Sequence, residues 1–169
     1  MPRQLARIAA LAVGEGRAEV VLLNHIKKLY LPRNCGITLK VIEGFGKGGM
    51  AVLTRTIRVS KGIAYDRKIA LLDTDTDWND QQRTRALQEE IIVVESTPCL
   101  EAWLLAIHGV HPVPSTNAFK VAFAQRFGGP AHDPAVYAKH FTSERLDGAR
   151  VTVPTLDLLL DSLGVKRPV

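Results

Sequence analysis

The chain has 169 residues, of which 46% are hydrophobic and only 6% aromatic, and it carries a formal net charge of +5. This length and composition fit one domain with a mostly aliphatic core. The two cysteines, Cys35 and Cys99, form no Cys-x-x-Cys pair, so we expect no zinc site and a reduced, cytoplasmic protein. No stretch reaches the ~20 apolar residues of a membrane span, and the apolar N-terminus runs into Glu15, which favours a strand over a signal peptide.

The first two thirds of the sequence alternate between aliphatic runs and segments of helical period. Alternation with continuous apolar strands predicts the α/β class, with a mostly parallel sheet flanked by helices. Pro98 is expected in the first turn of the fourth helix. The predicted strands are Arg7–Val13, Ile37–Ile42, Arg67–Leu72 and Ile91–Val94, and the predicted helices are Ala18–Tyr30, Met50–Ile63, Trp78–Glu90 and Cys99–Ile107.

The last sixty or so residues carry weaker signals. Gly and Pro residues predict a loop over 128–134, and short helical patterns cover Ala135–Tyr137 and Leu156–Leu163. There is no internal repeat and no linker long enough to separate two domains. We therefore predict a single domain over residues 1–169, with a core of about 5–109 and a C-terminal extension of about 110–169.

Carboxylates follow the first and third predicted strands. Glu15 comes after the first strand, and Asp73 and Asp75 come after the third. Binding sites in open α/β sheets form outside the carboxyl ends of the strands, so these side chains meet if the two strands are neighbours. In extended chain Asp73 and Asp75 would point the same way. Hard cations take such oxygen ligands, so the pattern predicts a Mg²⁺ or Mn²⁺ site suited to phosphodiester chemistry.

Four further features of the sequence bear on this site or on its ligand. Glu19 falls in the first turn of a helix, where it either interacts with the helix dipole or adds a metal ligand. Asp77 could cap the helix that begins near Trp78. The glycine-rich string GFGKGG is either a βα turn, which we favour, or a phosphate-binding loop in a small phosphate-binding protein, with Lys47 as the counter-charge. The net positive charge suits a polyanionic partner or an ordinary solvated surface.

Three strings resemble known motifs. AVGEGRAE and LLDTDTD resemble the Glu-Gly and Asp-x-Asp motifs of Toprim domains. ESTPCLEAWLLAIHG resembles the SNPCFELWLLLHF-type signature of RloB-like proteins, a Toprim branch related to the OLD-family nucleases. The three occur in the same order as in that family and span roughly residues 7–109, and YAKHF adds a weaker match.

This resemblance implies a Toprim-like, Rossmann-like fold and a Mg²⁺-dependent nuclease or related phosphotransferase that acts on DNA or RNA, in bacterial defence. It implies that Glu15, Asp73 and Asp75 are catalytic and bind the metal ion. It further implies that Glu101 adds to the metal site and that Lys139 contacts a phosphate. The alternative is a catalytically inactive Toprim-type module that binds nucleic acid or a partner protein.

The sequence departs from the family pattern at a few positions. Thr97 stands where Asn is usual, Leu100 where Phe is usual, and Ala18 where related chains often have Thr. The chain has no GxxxxGK[ST] string, so ATP dependence would require a separate ATPase or another defence-system subunit. The sequence is compatible with a homodimer, and we expect no membrane partner.

Overall fold

The computed structural model describes residues 7–45, 47–111 and 115–168. Four parallel strands form one sheet in the order β2-β1-β3-β4, and helices cover both of its faces. This architecture is Rossmann-like and confirms the predicted α/β class. The strands are β1 (Ile8–Gly14), β2 (Ile37–Glu43), β3 (Arg67–Asp73) and β4 (Ile91–Ser96). The helices are α1 (Arg17–Tyr30), α2 (Gly49–Gly62), α3 (Asp80–Gln88), α4 (Leu100–Ile107), α5 (Thr116–Phe127), α6 (Pro134–His140), α7 (Ser143–Ala149) and α8 (Pro154–Ser162).

The strand order reverses between β1 and β3. The chain leaves β1 through α1 to reach β2, and then α2 carries it back across to β3 on the other side of β1. Such a reversal opens a crevice outside the carboxyl ends of the two central strands. We call the edge formed by Gly14, Glu43, Asp73, Ser96 and the residues that directly follow them the carboxyl rim.

The two central strands are buried on both faces, as their continuous aliphatic sequences predict. Successive residues of β1 alternate between the two sides of the sheet. Ala10 and Ala12 belong to the core shared with α1 and the C-terminal helices, whereas Leu11 and Val13 belong to the core shared with α2 and α3. The first face therefore carries the larger helical layer.

Helix α4 lies at the centre of that larger layer. Leu104 is fully buried there, and the Trp103 indole Nε1 donates a hydrogen bond to Thr155 Oγ1 on α8 at 2.6 Å. His108 is the C-cap residue of α4. The prediction for Pro98 was wrong. Extended Cys99 is the N-cap, so the helix begins after it and Pro98 lies outside the helix.

The C-terminal extension contains two helices that sequence patterns did not predict, α5 and α7. Helix α5 buries Phe119, Phe123 and Phe127 at a spacing of four residues, and the short α7 buries little more than Leu146. The predicted loop and the two predicted short helices are confirmed, the latter within α6 and α8. Of the helices in the described ranges, none has the length and apolar composition needed to cross a bilayer.

Truncating a side chain at the centre of α4 should destabilise the fold strongly. Leu104→Ala should lower the free energy of unfolding by about 2–5 kcal/mol, because it removes buried methyl groups and leaves a cavity. The control Leu87→Ala removes a side chain that is 76% exposed and should change it by less than about 0.5 kcal/mol. Urea unfolding of both variants measures the difference, and equal losses would contradict the central position of α4.

Candidate functional site

Glu15, which directly follows Gly14 at the end of β1, links the loop after β2 to the end of β3. Its Oε1 accepts a hydrogen bond from the Gly48 N–H at 3.1 Å, and its Oε2 accepts one from the Asp73 N–H at 3.0 Å. The Glu15 N–H in turn donates to Leu71 O at 3.1 Å. The expectation that the first and third strands are neighbours is confirmed, and Glu15 and Asp73 both lie at the carboxyl rim.

The carboxyl group of Asp73, the last residue of β3, is partly buried and lies close to other acidic side chains. Its Oδ1 accepts a hydrogen bond from the Ser96 hydroxyl at the end of β4, at 3.1 Å. Burial raises the pKa of Asp73 to about 8, and repulsion from Glu19 and Glu15 adds to the rise. The Ser96 hydrogen bond opposes that shift only partly. Asp73 is therefore a carboxyl group whose charge the protein itself compensates poorly.

Asp75 does not continue the strand, contrary to the assumption of extended chain beyond Asp73. The strand ends at Asp73 and the backbone bends, because the Asp75 N–H donates to Pro98 O at 3.2 Å. The exposed Asp75 carboxylate accepts a hydrogen bond from the Thr116 hydroxyl on α5 at 2.9 Å. The two aspartates therefore have different partners, although both lie at the carboxyl rim.

Glu19 is the most deeply buried of these acids, with 6% of its surface exposed. Its Oε2 accepts a hydrogen bond from the Gly16 N–H at 2.8 Å, which caps the start of α1. Burial raises the pKa of Glu19, and Glu15 and Glu101 raise it further by repulsion. A Cβ at Gly14 would lie 2.6 Å from the Glu19 Cβ, so glycine there lets α1 start close to β1. Glu19 thus lies at the positive end of the α1 dipole, as the first interpretation requires, while its role as a metal ligand stays a prediction.

Sequence reasoning missed two neighbours of this cluster. Tyr137 on α6 is fully buried, and its hydroxyl donates to Ala131 O at 2.7 Å. Burial raises the pKa of Tyr137, and the charges of Glu19 and Glu101 raise it further. Ser96 could have been found from its position at the end of a strand, but no local pattern points to a tyrosine that a distant helix brings in.

Cys99 does not behave as a reactive thiol. Burial raises the pKa of Cys99 to about 12, and the nearby charges of Glu101 and Asp73 add to the shift. A thiol needs its thiolate form to act as a nucleophile or a metal ligand. The chemistry of this region therefore rests on oxygen donors.

The described residues hold the acidic cluster without a cationic partner. Every described salt bridge lies elsewhere, joining Arg83 to Asp80 and Glu95, and joining Arg150 and Arg167 to Asp157. Carboxylate oxygens suit a hard divalent ion. Yet within residues 7–45, 47–111 and 115–168 no group of three or more His, Cys, Asp or Glu side chains is placed so that it could hold one. The donor chemistry fits Mg²⁺, and the side chains are not gathered around a common point.

The two predicted phosphate-binding lysines lie outside this cluster. Lys139 is an exposed residue near the end of α6, and it forms no ion pair with the carboxylates that the structure describes. Lys47 is exposed in the loop before α2, where it lines a cavity of about 400 Å³ together with Arg55 and Arg58. Their roles as phosphate contacts stay predictions.

Asp77 caps α2, and the prediction that it caps the helix near Trp78 was wrong. Its Oδ1 accepts a hydrogen bond from the Met50 N–H at 3.3 Å. Helix α3 instead begins at Asp80, with the Asn79 side chain accepting hydrogen bonds from two backbone amides of its first turn.

This capping also bears on the glycine-rich string, of which Gly46 lies outside the described residues. Two of the amides around the start of α2 already donate to protein carboxylates, that of Gly48 to Glu15 and that of Met50 to Asp77. A phosphate-binding loop directs such amides at its ligand. The geometry therefore favours the βα turn over a phosphate-binding loop.

Comparison with known proteins adds no relative: no family model, no curated protein and no solved structure matches the chain. The resemblance to RloB-like Toprim proteins therefore stays a prediction that rests on the three sequence strings.

The raised pKa of Asp73 predicts a pH-dependent stability. Its usual value is 3.8 and its value in the folded protein is about 8, so between these limits the folded state binds more protons than the unfolded state. Stability should therefore fall as pH rises from about 4 to about 8. Asp73→Asn should reduce this loss of stability with rising pH to the part that is due to Glu19. Thermal unfolding across pH measures it, with exposed Asp161→Asn as the control. A slope in Asp73→Asn equal to that of the unmodified chain would contradict the assignment.

Gly48 should tolerate no side chain. It has a φ of 90°, and a Cβ there would lie 2.3 Å from Asp77 Oδ1. Gly48→Ala should lower the free energy of unfolding by about 1–3 kcal/mol. Gly62→Ala, at the last residue of α2, is the control, because a Cβ there meets no atom within 4 Å, and it should be neutral or stabilise by about 0.5 kcal/mol. Urea unfolding measures both variants, and an unchanged free energy of unfolding in Gly48→Ala would contradict the close contact between Gly48 and Asp77.

Proposed function

We propose that the chain is a divalent-metal-dependent enzyme that cleaves phosphodiester bonds in nucleic acid. The observation that carries this proposal is that Glu15 and Glu19 lie near Asp73 at the reversal point of the sheet, where burial and these acidic neighbours raise the pKa of Asp73 to about 8. Like charges held together at such cost are a feature of functional sites more often than of structural ones. A divalent cation would relieve their repulsion.

Each acid has a distinct role in this proposal. Asp73 and Asp75 would hold the ion, with Glu101 and Glu19 as further ligands. Glu15 would also contribute an oxygen, while its hydrogen bonds to Gly48 and Asp73 fix the loops on either side. A bound Mg²⁺ or Mn²⁺ would supply an activated water and stabilise the leaving oxygen.

The sequence strings support the same proposal and extend it. If the resemblance to RloB-like proteins reflects kinship, the nuclease serves bacterial defence and works with a separate ATPase subunit. Lys139 and Lys47 are then the candidates for phosphate contacts, since a cationic side chain pairs with phosphate as a point charge. These statements rest on the strings alone.

A second candidate is a module that binds nucleic acid without cutting it. It is favoured by the state of Glu15, whose two oxygens both accept hydrogen bonds from backbone amides. It is also favoured by the lack of an assembled metal-binding group within the described ranges. In this case protonation, not a cation, would neutralise the cluster.

Metal binding separates the two candidates. Calorimetric titration with Mn²⁺ should show a site in the unmodified chain that Asp73→Asn abolishes and that exposed Asp161→Asn keeps, since α8 ends far from the carboxyl rim, beside Arg67 at the start of β3. Cleavage of labelled DNA and RNA with Mn²⁺ should fall by roughly a hundredfold or more in Asp73→Asn, because even the outer partners of metal ligands typically contribute 10–100-fold. Cleavage that survives this substitution overturns the site, and a chain that binds no Mn²⁺ supports the binding module.

A further inference from the structure

A groove with three cationic side chains lies directly beside the acidic cluster. It runs along the start of α2 and has a volume of about 400 Å³. We call it the basic groove and define it by Phe45, Lys47, Arg55 and Arg58. It adjoins the carboxyl rim, because the Gly44 N–H at its edge donates to Gly14 O at 2.8 Å and the amide of Gly48 binds Glu15.

Phe45 is an aromatic side chain that the fold does not use. It is 75% exposed, and its backbone has a φ of 52°, which is uncommon for a residue with a side chain. The Arg55 guanidinium lies over the ring, 5.4 Å from its centre. An arginine in this position fixes the ring by a cation–π interaction. The exposed remainder of the ring is open to a flat ligand.

The charges in the groove are mostly positive and are not consumed by the fold. No described salt bridge involves Lys47, Arg55 or Arg58. The one carboxylate in the lining, that of Asp77, already accepts a hydrogen bond from the Met50 N–H. The groove therefore complements a polyanion, and its cationic side chains line the same cavity as an aromatic ring.

We propose that the basic groove binds single-stranded nucleic acid, with an unpaired base stacked on Phe45 and the adjoining phosphates paired with Lys47, Arg55 and Arg58. This inference rests on the proposed function and names the form of its substrate. Proteins that bind single strands combine a cationic groove with aromatic side chains on which bases stack. A base inside a duplex has both faces covered by its neighbours, so in a fully paired duplex only the two end pairs have a face open to this contact.

Binding is best measured without divalent metal, in EDTA, so that neither cleavage nor the acidic cluster enters the result. The probe is a fluorescein-labelled single-stranded oligonucleotide, compared by anisotropy with a fully paired duplex of the same composition that has no loop. Phe45→Ala should weaken single-strand binding by about tenfold, since stacking one base contributes on the order of 1–3 kcal/mol. Phe45→Trp should retain it, and duplex binding should not change. Exposed Leu87→Ala, in the last turn of α3, is the control for losing an apolar side chain.

The cations are tested by the salt dependence of the same binding. Arg58→Ala should weaken binding to any single strand and lower the slope of log affinity against log salt by about 1. Exposed Lys28→Ala at the far end of α1, on the opposite face of the sheet, should leave the slope unchanged. A thermal midpoint close to that of the unmodified chain shows that each variant is folded.

Two results would overturn the inference. One is a Phe45→Ala chain that binds the single strand as well as the unmodified chain does. The other is an Arg58→Ala chain that keeps its affinity for nucleic acid but sediments differently from the unmodified chain, which would assign the groove to a protein partner. The metal site is tested separately, because Phe45→Ala should leave the Mn²⁺ titration unchanged. If the chain binds single strands through this groove but binds no Mn²⁺, the inference stands and only the catalytic proposal is overturned.

Discussion

The rest of the carboxyl rim depends on the hydrogen bonds of Glu15. One carboxylate holds the backbone amide of Gly48, in the loop after β2, and that of Asp73, the last residue of β3, on the two sides of β1. Hydrogen bonds to a charged group contribute about 1.5–3 kcal/mol each, so this single side chain stabilises the position of these two segments relative to β1. The glutamate that the sequence predicts to be a metal ligand is thus the residue that sets the geometry of this part of the rim.

The same arrangement creates a charge problem that the described part of the chain leaves unsolved. Glu19 is nearly fully buried and Asp73 partly so, and this burial raises the pKa of both, with repulsion among the acids adding to the rise. A protein can relieve this with a paired cation, with protons or with a bound metal ion. The described salt bridges lie elsewhere, which leaves the last two. Protons suffice only while the pH stays below the raised pKa values, whereas a cation serves at any higher pH.

The sequence predicted the parts of the molecule that follow from local patterns. Strand alternation gave the sheet, and the rule that sites form at carboxyl ends placed Glu15 beside Asp73. It failed where a partner comes from far along the chain: Thr116 reaches Asp75 from α5, and Asp77 caps α2, not the next helix. Helices α5 and α7 were missed for another reason. Three phenylalanines spaced by four residues stand among exposed apolar neighbours such as Val121, and α7 is only two turns long, so neither shows a clear amphipathic period.

The use of backbone amides around the start of α2 decides how this region can bind an anion. A helix N-terminus attracts phosphate when its amides are free to donate. Here Asp77 occupies the Met50 amide and Glu15 occupies that of Gly48, so protein carboxylates have taken positions that a phosphate would need. Affinity for a polyanion must then come from the side chains that project from the loop and the helix, Lys47, Arg55 and Arg58. Gly48 of the glycine-rich string thus serves the fold by its close approach to Asp77, while in the proposed single-strand binding recognition falls to the exposed ring and the cations beside it.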